Sequence, residues 1–296
     1  MRARRRIEKL DGRYSLVDGI PFTLPVDSKD TPALMAIFPM SAACAAELIP
    51  GEEIHPFRLG GDVGLLVLTV VNYETTDIGS YIEFSIAIAC THGLRPAPPL
   101  VGALLPRYGV GQFVVDLPVS TEISVKGGKG IWGMPKHQAN LDFVIREDRV
   151  WSQYDLDGQL CCRIEIDRPA WTGLPVSMPA VNYCAFRGML NKSSIYFRGR
   201  AGFKVPLTPT ARLTLGEHPR MAALHRLRVR ERPLFVGFFP STRGILDDHT
   251  ESWFLTFRKP PTQAPEGLES VVGLGLGQEW LAPPDDPAAG AAAMGG

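Results

Sequence analysis

The chain has 296 residues, in which 31 lysines and arginines balance 31 aspartates and glutamates, and 45% of its residues are hydrophobic. This is enough apolar material for a sizeable core in one or two domains. The absence of net charge argues against nucleic acid or an anionic membrane as the main partner, and no apolar run has the length of a transmembrane helix.

The two ends of the chain differ in composition from the middle. Residues 1–19 begin with several arginines and contain no apolar segment of the kind found in a secretory signal, which predicts a basic N-terminal tail. Residues 259–296 are rich in proline, glycine and alanine, which predicts a disordered tail. The predicted domain therefore covers residues 20–258.

The cysteines indicate the redox environment. There are five of them, none with zinc-finger spacing, and two are adjacent. This pattern favours reduced thiols in a cytoplasmic protein and indicates no metal site.

The first half of the domain predicts strands and one clear helix. The apolar run Ala33–Phe38 predicts a strand, and Ser41 can cap a small helix that ends before Pro50. The β-branched run Val63–Tyr73 predicts a buried strand.

Residues 81–90 predict a strand with two distinct faces. Tyr81 and Glu83 lie on one face with small residues, and the opposite face is apolar throughout. Glu83 is the only charged residue of this strand. It is interpreted either as a half-exposed carboxylate or as an acid or base that faces a cavity.

A glycine-rich segment precedes the most unusual lysine of the chain. Ser120–Lys126 predicts a short helix that ends at Gly127 and Gly128. The segment Lys126–Gly130 resembles a phosphate loop only superficially, because it lacks the required spacing.

Lys136 ends the segment Trp132-Gly133-Met134-Pro135-Lys136, and His137 follows it. Pro135 stiffens the backbone before the lysine. A lysine in apolar surroundings beside another cation loses part of its preference for the ammonium form, and a neutral amine attacks carbonyl carbons. The alternative is a turn lysine between two strands.

The second half predicts more strands. Val150–Leu156 and Leu160–Asp167 are separated by Asp157-Gly158, a typical hairpin turn, and Glu217–Leu227 predicts a helix. Residues 168–180 contain three prolines and predict a loop. Further strands are predicted at Val181–Leu190, Ser194–Arg198, Arg212–Leu215, Leu234–Phe239 and Trp253–Arg258. Because strands outnumber helices and no βαβ pattern occurs, the predicted fold class is α+β, mainly antiparallel β.

Three segments together resemble the acetoacetate decarboxylase superfamily. They are the strand and helix of Ala33–Pro50, the Gly-x-Tyr-x-Glu motif of Gly79–Glu83, and the aromatic-Gly-x-Pro-Lys motif of Trp132–Lys136, in the order in which the family has them. The resemblance implies a curled sheet or barrel with a few short helices, a homo-oligomer and no cofactor. It also implies that Lys136 forms a Schiff base with a keto acid or related carbonyl compound, and that Glu83 is the acid or base.

The resemblance and the neighbouring residues together give the predicted site. Tyr81, Trp132 and Met134 are expected to bind substrate, with packing in the core as the alternative, and His137 is expected to tune the basicity of Lys136. The sequence departs from the family at three places. His137 replaces a second lysine, no arginine occurs near residues 29–31 to hold a substrate carboxylate, and an apolar residue near Leu68 replaces an acidic one.

These departures leave three functions open. They are a decarboxylase-like lyase, an aldolase or dehydratase of the same superfamily, and a non-catalytic barrel that binds a small apolar or carbonyl ligand.

Overall fold

The computed structural model describes residues 13–101, 105–204, 210–246, 250–257 and 267–285. The strands are β1 Tyr14–Val17, β2 Ile20–Thr23, β3 Val26–Ser41, β4 Ile54–Pro56, β5 Val63–Tyr73, β6 Thr75–Thr76, β7 Tyr81–His92, β8 Gly111–Val119, β9 Lys136–Gln138, β10 Asn140–Leu141, β11 Val144–Ile145, β12 Arg149–Leu156, β13 Gln159–Asp167, β14 Leu174–Phe186, β15 Met189–Lys204, β16 Ala211–Leu215, β17 Phe235–Leu246 and β18 Glu251–Phe254.

Helices are few and short. They are α1 Ala42–Leu48, α2 Glu122–Trp132 and α3 Ala222–His225, with 3₁₀ turns at Pro106–Tyr108, Pro219–Met221 and Leu268–Ser270. Within the described ranges, no helix is both long enough and apolar enough to span a membrane.

Seven strands form a closed barrel. Their order is β7, β5, β3, β17, β15, β14 and β8, and β8 returns to pair with β7. All of these pairs are antiparallel except β14 with β8, which is parallel. The predicted fold class, mainly antiparallel β with a curled sheet or barrel, is confirmed.

The barrel closes through a short contact that leaves room for the site. β14 pairs with β8 only at Asn182 with Gln112 and at Tyr183 with Phe113. Further along the same edge, β8 pairs instead with the short parallel strand β9, where Leu117 is the partner of Lys136. As β14 diverges from β8, β9 takes its place and brings Lys136 into the wall.

A smaller sheet covers one outer face of the barrel. It consists of β10, β12, β13 and β16, with β11 also paired to β12. Phe84 and Ile86 from β7 share one buried cluster with Tyr154 and Ile164 from the smaller sheet. The apolar face of β7 therefore forms the core between the sheets, and its other face is turned into the barrel.

Several local predictions are confirmed. Val63–Tyr73 is a strand with the predicted bounds, and β12 and β13 form the predicted hairpin at Asp157-Gly158. Helix α1 begins after Ser41, whose side chain accepts a hydrogen bond from the Cys44 backbone N–H at 3.2 Å.

Other local predictions are wrong. Helix α2 does not end at Gly127 and Gly128 but continues to Trp132. The predicted strand Val181–Leu190 is divided by a turn at Arg187-Gly188, with both residues at positive φ. The predicted helix Glu217–Leu227 is reduced to a 3₁₀ turn followed by α3.

The proline-rich segment 168–180 is also not entirely a loop, because β14 begins at Leu174. Proline removes a backbone donor but is tolerated at a strand edge. Pro175 and Pro179 lie in the part of β14 that precedes its contact with β8. Among the described strands, this part is paired with β15 on one side only, so the prolines can face the unpaired side without breaking backbone hydrogen bonds.

Both predicted tails contain ordered structure. Residues 14–23 form the hairpin of β1 and β2, whose Val17 is buried. Residues 271–277 pack along α2, and the Ile123 N–H donates to the Gly277 carbonyl at 3.1 Å. For these two stretches the expected tails are wrong, and residues 1–12, 258–266 and 286–296 lie outside the described ranges.

A buried lysine joins the two stretches. Lys126, on α2, is 1% exposed. Its Nζ donates to Asp18 Oδ2 at 3.1 Å and to the Leu274 carbonyl at 2.6 Å. The segment Lys126–Gly130, which superficially resembles a phosphate loop, is therefore helical. Its first lysine, Lys126, already binds an aspartate and a backbone carbonyl of the protein.

Candidate active site

Lys136 is positioned by the end of helix α2 and by β8. Gly133 ends the helix in the left-handed conformation, with φ of 65°, and reverses the chain toward β9. Lys136 then pairs with Leu117 at the start of β9, and only 3% of the residue is exposed. The lysine is therefore a wall residue of the barrel, and the alternative of a solvated turn lysine is wrong.

The ammonium of Lys136 meets the carboxylate of Glu83. The Nζ atom lies 2.7 Å from Glu83 Oε2 and donates to Ser124 Oγ at 3.0 Å. Glu83 is 8% exposed and reaches the lysine from β7, across β8. The interpretation of Glu83 as a half-exposed carboxylate is wrong, and its side chain faces the barrel interior.

Tyr81 and Tyr73 form an aromatic wall beside this pair. The two rings stack with centroids 4.6 Å apart, and Lys136 Nζ lies 5.1 Å from the centroid of Tyr81. Burial, and then the negative charge of Glu83, raise the pKa of both tyrosines well above the usual value of 10. Both hydroxyls therefore stay protonated near neutral pH and can donate hydrogen bonds.

Two neighbouring cavities adjoin the Lys136–Glu83 pair and have lining residues in common. A small one of about 30 Å³ is lined by Lys136, Glu83, Tyr81 and Met134. A larger one of about 190 Å³ shares Glu83 and Met134 with it and extends along the barrel. Met178, which lines the larger cavity, is 43% exposed, so that cavity reaches solvent along β14.

Trp132 does not line either cavity. It is 5% exposed and packs in a cluster with Leu24, Leu117 and Met134. Of the aromatic and apolar residues predicted for the site, the structure brings Tyr81 and Met134 to Lys136 and places Trp132 behind them. Trp132 therefore supports the wall instead of contacting a ligand in these cavities.

His137 is directed away from Lys136. Neighbouring residues of a strand point to opposite faces, and His137 Nε2 lies 3.0 Å from Asp116 Oδ1. Asp116 also accepts hydrogen bonds from Arg220 at 2.8 and 2.9 Å and from the Tyr154 hydroxyl at 2.6 Å. The expected placement of His137 beside the lysine is therefore wrong.

Asp116 is the centre of that separate network. Burial by itself raises the pKa of Asp116, but the hydrogen bond from His137 and the charges of His137 and Arg220 outweigh it and lower the pKa to about 2. Because Tyr154 and Arg220 come from the region of the smaller sheet, the network joins that sheet to β8 and β9. Its role in this structure is to fix β9 from the outside of the barrel.

Sequence reasoning missed three contributors to the site. Ser124 hydrogen-bonds Lys136, Gly128 leaves space for the lysine side chain, and Tyr73 stacks on Tyr81. A helical reading of residues 122–132 places Ser124 and Gly128 four residues apart on one face. The glycine run is the available signal in the sequence, but by helix propensity it predicts a helix end.

Among the described residues, no group of three or more histidine, cysteine, aspartate or glutamate side chains is arranged to hold a metal. The site therefore consists of an amine, a carboxylate and hydroxyls beside an apolar cavity. Such a set can form a covalent bond to a carbonyl carbon and move protons around it.

The family model of acetoacetate decarboxylase matches residues 14–236. Because this match covers most of the chain, the chain belongs to the acetoacetate decarboxylase family. No curated protein sequence matches the chain.

Solved structures of the family share the fold. An acetoacetate decarboxylase is 14% identical, with a TM-score of 0.57 over 79% of this chain and 91% of the other. The enduracididine biosynthesis enzyme MppR is 15% identical, with a TM-score of 0.56 over 79% and 89%. The acetoacetate decarboxylase of Legionella pneumophila is 13% identical, with a TM-score of 0.55 over 77% and 89%.

Proposed function

We propose that this protein is a lyase that makes or breaks a carbon–carbon bond next to a carbonyl group through a Schiff base on Lys136. The observation that carries the proposal is the 2.7 Å distance between Lys136 Nζ and Glu83 Oε2 at a buried cavity. Membership of a family of decarboxylases and related enzymes supports it.

The first step is imine formation. Glu83 takes a proton from Lys136, and the free amine attacks the carbonyl carbon of the substrate. The resulting carbinolamine loses its hydroxyl as water, with a proton supplied by Glu83, and leaves a protonated imine. Ser124, at 3.0 Å, holds the nitrogen in place during the attack.

The second step uses the imine as an electron sink. When the bond between the adjacent α-carbon and its substituent breaks, its electron pair forms the carbon–carbon double bond of an enamine, and the π electrons of the imine move to the nitrogen. Protonation of the enamine carbon and addition of water then release the product and restore the Lys136 amine. Glu83, now the counter-ion of the imine, stabilises its positive charge in surroundings of low dielectric constant.

The proposed lyase activity includes bond formation as well as bond cleavage. One structure of MppR contains the condensation product of pyruvate and imidazole 4-carboxaldehyde, so this fold also holds the product of joining two carbonyl compounds. Bond cleavage and bond formation share the same enamine, and both fit the Lys136–Glu83 pair.

Borohydride trapping tests the proposal. The protein is incubated with a panel of ketones, aldehydes and keto acids and then reduced, and the modified peptide is identified by mass spectrometry. We expect a secondary amine at Lys136, none in Lys136→Arg, and normal labelling in the matched control Lys129→Arg. A ligand that binds without any adduct would indicate a binding barrel, and labelling of other lysines alone would refute the proposal.

A further inference from the structure

We infer that the substrate is an uncharged carbonyl compound with an apolar chain, and not a keto acid whose carboxylate enters the cavity. This inference rests on the proposed function and narrows its substrate class. It comes from the charges, the size and the unpartnered hydroxyl of the larger cavity.

The cavity has no cation to hold a carboxylate. Its described lining contains no lysine, arginine or histidine, and its only charged side chain is that of Glu83. Lys136 is the only cation in the described lining of the smaller cavity. Once Lys136 has formed the imine, its ammonium group is no longer available to bind a carboxylate. The remaining positive charge, on the imine, already faces Glu83 at the position where the carboxylate and amine now meet.

A substrate carboxylate in this space would therefore be unpaired and close to a second carboxylate. Burial of an unpaired charge is strongly unfavourable, and a like charge nearby adds to the cost. A neutral ketone or aldehyde has no charge to bury and is not repelled by Glu83. Glu83 then serves as the base beside it.

The lining and the volume favour a chain of moderate length. Apolar side chains form most of the wall, among them Met35, Val71, Ile195, Phe197 and Phe239. A cavity of about 150 Å³ lined by apolar residues binds benzene. A volume of about 190 Å³ therefore suits about eight non-hydrogen atoms on this scale.

One wall carries hydroxyls beyond Glu83. Thr69 and Ser85 are directly opposite each other on β5 and β7, one pair along the inner face from Val71 and Glu83. The Thr69 Oγ1 atom is buried and has no hydrogen-bond partner among the described residues. An oxygen on the ligand chain would satisfy it, so this part of the wall can accept one polar atom of the substrate.

Without a carboxylate there is no carbon dioxide to lose, so the bond that breaks lies between the carbons of a β-hydroxy carbonyl compound. Glu83 removes the hydroxyl proton, the carbon–carbon bond breaks, and an aldehyde leaves as the electron pair moves to the imine nitrogen. Glu83 returns the proton to the enamine carbon, and water then releases the second carbonyl fragment from the enzyme. The reverse sequence joins the same two fragments.

Trapping with length-matched pairs tests the substrate class. Borohydride labelling of Lys136 is compared for 2-pentanone and 2-oxopentanoate, for acetone and pyruvate, and along a series from acetone to 2-decanone. We expect the neutral member of each pair to label at least tenfold more efficiently. Along the series, labelling should rise with chain length and fall once the chain exceeds about eight non-hydrogen atoms.

Two variants link the result to the cavity. Met178→Arg adds a cation at the mouth, and we expect it to raise the ratio of keto acid to ketone labelling about tenfold. Leu174→Arg is its matched control, because Leu174 is exposed on the same strand outside the cavity lining. Ala180→Leu narrows the lined space and should shift the preferred ketone to a shorter chain.

The outcomes separate this inference from the proposed function. Equal or better labelling by the keto acids, with an adduct still on Lys136, would overturn the neutral substrate class and leave the Schiff base intact. No adduct with any compound of either series would overturn the Schiff-base proposal itself. An unchanged ratio in Met178→Arg, with the fold confirmed by circular dichroism, would contradict the assigned mouth of the cavity.

Discussion

The side chain of Lys136 lies against the backbone of helix α2 at Gly128, where a β-carbon would come within 2.7 Å of the lysine Cε. Atoms at that distance overlap, so any larger residue at position 128 displaces the lysine or the helix. The position of the Lys136 amine therefore depends on glycine at position 128. Helix propensities, however, predict that the helix ends at this residue.

Gly128→Ala tests that dependence. We expect the lysine to be displaced from Glu83 and the rate of imine trapping to fall about 100-fold, the usual effect of a misplacement of about 1 Å at a reacting centre. Gly60→Ala is the matched control, since a β-carbon there would meet nothing within 4 Å. Unchanged trapping in a folded Gly128→Ala protein would contradict the assigned geometry.

Glu83→Gln tests the acid or base. Glutamine keeps the size of the side chain but cannot exchange the proton, so turnover of a substrate found by trapping should fall by a factor of about 10² to 10⁴. The control is Glu74→Gln, at an exposed position just beyond β5. A fall of less than threefold in turnover would remove Glu83 from the mechanism.

Asp116→Asn tests the network that fixes β9. The folded-state pKa of Asp116 is lowered from 3.8 to about 2, so the ionised form stabilises the fold above pH 4, and this stabilisation is lost as the pH falls from about 4 to 2. The substitution should lower the free energy of unfolding at pH 7 by about 2 kcal/mol.

Urea unfolding at several pH values measures this effect. The difference between wild type and Asp116→Asn should shrink as the pH approaches 2, and Asp148→Asn, at an exposed position, should show no such difference. A difference that stays constant down to pH 2 would show that the carboxylate charge is not the cause.

Lys126→Met tests the attachment of the C-terminal stretch. Methionine keeps much of the apolar volume but removes both the hydrogen bond to the Leu274 carbonyl and the pairing with Asp18. Hydrogen bonds from charged groups contribute about 1.5–3 kcal/mol, so amide exchange in residues 271–277 should accelerate about tenfold or more. Lys129→Met is the control, and equal exchange in the two variants would contradict the assignment.

Predictions from local patterns succeeded where local forces decide the structure. The β-branched run Val63–Tyr73, the Asp157-Gly158 turn and the cap at Ser41 each contain their own signal in adjacent residues. The alternation around Glu83 also separated the two faces of β7, because a strand has a fixed period of two.

The predictions failed where distant contacts decide. Glycine costs a helix about 1 kcal/mol per residue relative to alanine, yet α2 continues through Gly127, Gly128 and Gly130. Side chains from elsewhere pack against these positions: Phe22 at Gly127, Lys136 at Gly128 and Val17 at Gly130. This packing offsets the low helix propensity of glycine. Residues such as Val17 and Phe22 are far from the helix in sequence, so the local pattern does not reveal the packing.

The site was predicted in part for the same reason. Lys136 and Glu83 lie in recognisable sequence motifs. The hydrogen bond of His137, by contrast, is made to Asp116, which lies 21 residues earlier in the chain. Asp116 is in turn held by Arg220, which follows the last strand of the smaller sheet. The bond from Lys136 to Ser124 likewise follows from the unexpected length of α2.

The pairing of β3 with β17 joins residues near position 30 to residues near position 240. During translation, Lys136 and Glu83 thus leave the ribosome well before the strand that completes the chamber around them. Until Phe235–Leu246 emerges, β3 has no partner on that side and the barrel cannot close, so the chamber around Lys136 and Glu83 is completed late in synthesis.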